Sequence, residues 1–103
     1  MTSNDKEQLK RDLVSALSAD EQVEKIIIFG SFVTSASPDD IDVAVFCASD
    51  ESYLPLALSF RKRLRSLARK IPVDLLPICR PYTTDSAFMS IIEAGEVIYE
   101  KGH

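Results

Sequence analysis

The run Ile26-Ile27-Ile28-Phe29, closed at once by Gly30, constrains this chain more than any other feature. So short a β-branched run, ending at a glycine, reads as a strand covered on both faces. Ile41 to Cys47 and Val73 to Ile78 have the same apolar character. Segments of helical period lie between them. Leu9, Leu13, Val14 and Leu17 predict a helix from about Asp5 to Ala19, with Asn4 as N-cap and Glu7 completing a capping box. Ala57, Phe60, Leu64, Leu67 and Ile71 mark a second helix from about Ser52 to Lys70, capped by Asp50 and ended by Pro72. Thr84 or Asp85 opens a third through Ala87, Phe88, Ile91 and Ile92, closed by Gly95. Ser31 to Ser37 has room for one helical turn, and Val97-Ile98-Tyr99 for an edge strand. The order predicts an α+β fold: a small mixed β-sheet of three to four strands with helices packed mainly on one face.

A chain of 103 residues suits one domain, expected to span 1–103 with its core at about 10–100. Net charge is -4, from 12 basic and 16 acidic residues. That excludes broad, sequence-independent duplex binding, which runs on phosphate neutralisation. No apolar run approaches the roughly 20 residues that cross a bilayer. The polar segment Met1 to Asp12 does not read as a signal peptide, so a cytoplasmic location and no membrane partner are expected. Cys47 and Cys79 lie in apolar surroundings without zinc-site spacing and read as buried reduced thiols. The lone histidine, His103, leaves imidazole chemistry almost no material.

The chemistry rests on carboxylates. Asp40-Ile41-Asp42 opens the strand that continues through Val43-Ala44-Val45-Phe46. Residues two apart in a strand project to one face, so the two carboxylates stand side by side against their mutual repulsion. Such a pair needs a cation, a proton or open water, and carboxylate oxygens suit magnesium or manganese. By itself Asp-x-Asp also fits a solvated strand end. Asp74 interrupts the apolar strand Val73 to Ile78, where an isolated charge is costly unless paired, solvated or metal-bound. If the two strands are neighbours, three carboxylates converge. At the end of the first strand Gly30-Ser31 lets backbone approach a ligand closely, a feature shared by phosphate turns and ordinary turns. Arg61, Lys62, Arg63, Arg65, Arg69 and Lys70 form the one dense basic patch, read as a solvated helix face.

Taken together, Gly30-Ser31, then Asp40-Ile41-Asp42-Val43 after eight residues, then Asp74, resemble the minimal nucleotidyltransferase domain of the DNA polymerase beta-like superfamily. The ending Ile91-Ile92-Glu93-Ala94-Gly95-Glu96-Val97-Ile98-Tyr99-Glu100 resembles the usual close of that domain, and the likeness runs over roughly residues 10 to 100. The resemblance implies the nucleotidyltransferase fold. It implies Gly30 and Ser31 as phosphate-binding residues, and Asp40, Asp42 and Asp74 as catalytic and metal-binding residues for two Mg2+ or Mn2+ ions. It implies transfer of a nucleotidyl group, AMP from ATP or its equivalent from another nucleoside triphosphate, to an acceptor hydroxyl. Relatives of this size pair with small helical proteins of the HEPN type in toxin–antitoxin-like modules, so such a partner, or a homodimer, is expected. Two departures matter, and one is a loop before Asp40-Ile41-Asp42 shorter than that of many minimal members. Phe32 to Asp39 contains neither the cation nor the further glycine that many minimal members carry there. The alternative is therefore a nucleotide-binding regulatory module with weak or no turnover, acting through a protein partner. The acceptor is not legible in the sequence.

Overall fold

A computed structural model describes residues 2–48, 52–79 and 86–102. Helix α1 (Ser3–Ser18) leads into strand β1 (Val23–Phe29), the single turn α2 (Ser31–Thr34) and strand β2 (Ile41–Cys47). Helices α3 (Tyr53–Arg63) and α4 (Arg65–Ala68), strand β3 (Val73–Cys79), helix α5 (Ser86–Glu93) and strand β4 (Glu96–Glu100) follow. The strands form one mixed sheet in the order β3-β2-β1-β4. β1 pairs antiparallel with both β2 and β4, and β2 pairs parallel with β3. The parallel pair needs a crossover, which α3 and α4 supply.

The strand alternation separates two cores. Ile26, Ile28, Val43, Val45 and Leu75 face Leu13 and Leu17 of α1, Phe60 of α3 and Leu67 of α4. Ile27, Ala44, Phe46 and Ile78 face the other way, onto Ile92 of α5. Helices α1, α3 and α4, with Phe32 of α2, thus pack on one face and α5 on the other, as the apolar periods require. Leu13, Leu17 and Phe60 are fully buried. Each such side chain contributes on the order of 2–3 kcal/mol relative to exposure.

Details at helix ends differ from the sequence expectation. Thr2, not Asn4, caps α1: its hydroxyl accepts from the Asp5 N–H at 3.0 Å, and Asp5 accepts from the Thr2 N–H at 2.9 Å. Two adjacent polar segments both fit the capping pattern, and the earlier one starts the helix two residues sooner. The second helix is broken at Leu64, whose N–H is shared between the Phe60 and Arg61 carbonyls at 3.1 and 3.2 Å. Tightening there still leaves Leu64, Leu67 and Ile71 buried. Asp50, Thr84 and Asp85, expected as helix caps, lie outside the described residues.

Candidate metal and phosphate site

Parity and register build the site together. Asp42 pairs with Phe29 on β1 and with Asp74 on β3. Those three side chains share the sheet face of Ile27, Ala44 and Leu76, the next rung inward. Asp40 precedes β2, but the Ile41 N–H donates to the Pro72 carbonyl at 2.9 Å and carries the parallel pairing up to it. The result is that one carboxylate oxygen from each of Asp40, Asp42 and Asp74 lies within 4.8 Å of the others. Asp40 and Asp42 are half-buried and Asp74 is exposed. The three residues that sequence reasoning singled out are therefore brought together, on a floor of apolar side chains.

Crowding has an electrostatic signature. Burial, with the neighbouring Asp40 and Asp74 carboxylates adding to it, raises the Asp42 carboxyl above its ordinary value. A carboxyl at position 42 that resists ionisation beside two further carboxylates is one that a divalent cation would relieve. Oxygen-only donors of this kind fit magnesium or manganese.

Gly30 ends β1 with φ +77 and ψ −152, a conformation closed to side-chain-bearing residues. A Cβ there would overlap Asp42 Oδ2, so the turn and the carboxylate are packed directly together. Ser31 follows, exposed, with its hydroxyl 3.5 Å from Asp40 Oδ1. The predicted phosphate turn and the carboxylates thus form one continuous surface. A hollow of about 210 Å³ opens beside it, lined by Phe29, Gly30, Val33 and Thr34 on one side and Ile91, Ala94 and Gly95 on the other.

Two features escaped the sequence reading. The loop after Gly30-Ser31 contains no cation, yet one reaches it from α1. Lys6 Nζ donates to the Phe32 and Ser35 carbonyls at 2.7 and 2.6 Å and lies 5.3 Å from the Phe32 ring centroid. No local pattern announces a contact between residues so far apart in the chain. Cys47 and Cys79 are register partners, and their sulfurs are 3.0 Å apart. That pairing has a signal in hindsight: each cysteine stands five residues after an aspartate, Asp42 and Asp74. The basic residues Arg61, Lys62, Arg63, Arg65, Arg69 and Lys70 are all exposed, and Lys70 reaches Asp12 at 3.7 Å.

Residues 11–103 match the sequence profile of the family described as polymerase beta nucleotidyltransferase. No curated protein sequence is significantly similar to this chain. Among solved structures, the chain is similar to one from a complex of a tri-AMPylated Shewanella oneidensis HEPN toxin with an MNT antitoxin. That likeness has a TM-score of 0.67 at 18% identity, over 92% of this chain and 72% of that one. A second likeness is to a mutant of the toxin–antitoxin complex MntA–HpeT, with a TM-score of 0.68 at 18% identity, over 90% of this chain and 74% of that one. Both likenesses show the same fold.

Proposed function

This chain belongs to the polymerase beta nucleotidyltransferase family, and from that premise we propose that it is a single nucleotidyltransferase domain. In this reading it moves AMP from ATP to a hydroxyl on a small helical protein of the HEPN type. The observation that carries the reading is the convergence of Asp40, Asp42 and Asp74 within 4.8 Å beside the Gly30-Ser31 turn. Magnesium or manganese held by the three aspartates would supply the positive charge that offsets the phosphates and polarises the acceptor oxygen.

The chain's own residues have separable tasks. Gly30, lacking a side chain, lets phosphate oxygens approach the turn backbone, and Ser31 adds a hydroxyl donor. Asp42, wedged against Gly30, fixes the distance between that turn and the carboxylates. Asp74, the exposed member on an edge strand, is the one that an incoming hydroxyl can reach and to which its proton can pass. The acceptor oxygen then bonds to the α-phosphorus as the bond to the bridging oxygen breaks, and pyrophosphate leaves. Positioning and electrostatics are most of what such a transfer requires.

A partner is supported by the surface of α3. Tyr53, Leu54 and Leu58 are more than half exposed there, next to Arg61 and Lys62. The complexes in which the similar folds occur contain a HEPN toxin in one case and a toxin–antitoxin pair in the other.

One observation favours the regulatory reading instead. Lys6, which reaches the phosphate-side loop, is committed to two backbone carbonyls rather than left free for a phosphate. Transfer of label from α-labelled ATP, with manganese and the native helical partner, separates the two. Label on the partner, lost in Asp74→Asn, is the expected result. If ATP binds yet no label leaves it, the domain is a regulatory module.

A further inference from the structure

β2 and β3 carry the same pattern in the same register. Asp42 stands opposite Asp74, and five residues on, Cys47 stands opposite Cys79. The carboxylates point to the α5 face and the cysteines to the opposite one, at the far end of the strands. The two sulfurs are 3.0 Å apart, and neither is in a disulfide. Cys47 is buried and turns its sulfur toward the Ile78 carbonyl at 3.7 Å, whereas Cys79 is only half-buried. Partners this close across adjacent strands need little backbone movement to be bridged.

We propose that Cys47 and Cys79 are an oxidisable dithiol that closes into a disulfide between β2 and β3, clamping the strand register that aligns Asp42 with Asp74. The oxidant is a peroxide. The more accessible Cys79 sulfur attacks one peroxide oxygen; a sulfur–oxygen bond forms, the oxygen–oxygen bond breaks, and the departing oxygen leaves as water with the thiol proton. Cys47 then attacks the Cys79 sulfur. The sulfur–sulfur bond forms, the sulfur–oxygen bond breaks, and the hydroxyl leaves as a second water with the Cys47 proton. Two thiols are oxidised and one peroxide is reduced to two waters. Burial above all, with Cys79 adding to it, raises the Cys47 thiol well above its ordinary value. Cys47 therefore answers as the resolving sulfur and not as the first to meet oxidant.

The step needs neither nucleotide nor metal, so its test is independent of the transfer reaction. The folded chain is exposed to hydrogen peroxide and followed by intact mass without reductant. Loss of two hydrogens in a monomer, reversed by dithiothreitol, is expected. So are a rise in Tm on the order of 10 °C and slower amide exchange across β2 and β3. Cys79→Ser should keep its one remaining thiol reduced under the same exposure. Retention of both thiols by the folded chain, while the urea-unfolded chain loses them, would overturn the proposal. So would oxidation that stops at oxygen adducts on Cys79, or that gives only cross-linked dimers.

Discussion

Gly30 and the Asp42 carboxylate occupy adjoining space, so that any side chain at position 30 would overlap Asp42 Oδ2. The positive φ of Gly30 adds a second demand at the same position. Gly30→Ala should therefore lower stability by about 1–3 kcal/mol and displace the carboxylate as well. Urea denaturation reads the first effect and manganese titration the second. A variant with unchanged midpoint and unchanged manganese response would show that the turn does not hold this geometry.

Asp42 makes the metal-free fold sensitive to pH. Its folded-state carboxyl lies above the ordinary 3.8, mainly through burial and then through Asp40 and Asp74. A raised carboxyl favours the folded state while it is protonated. That contribution is present below the ordinary value and lost as pH rises through the folded one. Metal-free protein should thus lose stability as pH climbs from about 4 toward neutrality, beyond what its other groups cause. Asp42→Asn should flatten that part of the profile and raise the neutral-pH midpoint. An identical slope in wild type and variant would refute the account.

Ligand binding should reverse the penalty. Manganese with ATP at about a hundred times the dissociation constant should raise Tm by roughly 10 °C or more, because only the folded chain assembles the site. Asp42→Asn should abolish the shift. Ser31→Ala should reduce it modestly, since backbone N–H donors of the turn survive the change, and Asp74→Asn should keep much of it while losing transfer. Differential scanning fluorimetry ranks the three variants, and a Ser31→Ala shift as small as that of Asp42→Asn would contradict the assignment.

Lys6 ties α1 to the loop after Ser31 through two short hydrogen bonds. Lys6→Met should leave the carboxylates in place but free that loop, costing about 1–3 kcal/mol of stability. Hydrogen exchange should accelerate over Phe32 to Ser37 more than over β1 or β2. In the transfer reaction the change should raise KM for ATP more than it lowers kcat. Uniform exchange along the chain would mean that Lys6 is a surface residue with no positioning role.

The strands and the carboxylates were legible because they rest on short-range rules. The β-branched run before Gly30 marked β1 and its end at Phe29, and the two-residue spacing of Asp40 and Asp42 put both on one face. Asp74 stood out as a lone charge in an apolar strand. What was not legible depends on groups distant in sequence. The register that sets Asp42 against Asp74 is a property of two strands whose facing residues are separated by a crossover. The Lys6 contact spans 26 residues to Phe32 and 29 to Ser35, with nothing in either segment to announce the other. The break at Leu64 follows from packing, since the apolar stripe continues straight through it.

The reach of Lys6 also separates two boundaries that are easily confused. The family match begins at residue 11, and a protein trimmed to that span would retain Asp40, Asp42, Asp74, Gly30 and Ser31. It would nevertheless have lost the lysine that holds the loop and the Thr2–Asp5 cap that starts its helix. The span that the family match recognises and the span that holds the loop after Ser31 are thus different pieces of polypeptide. An expression design guided by recognition alone would yield a sheet with its acidic cluster intact and an untethered rim.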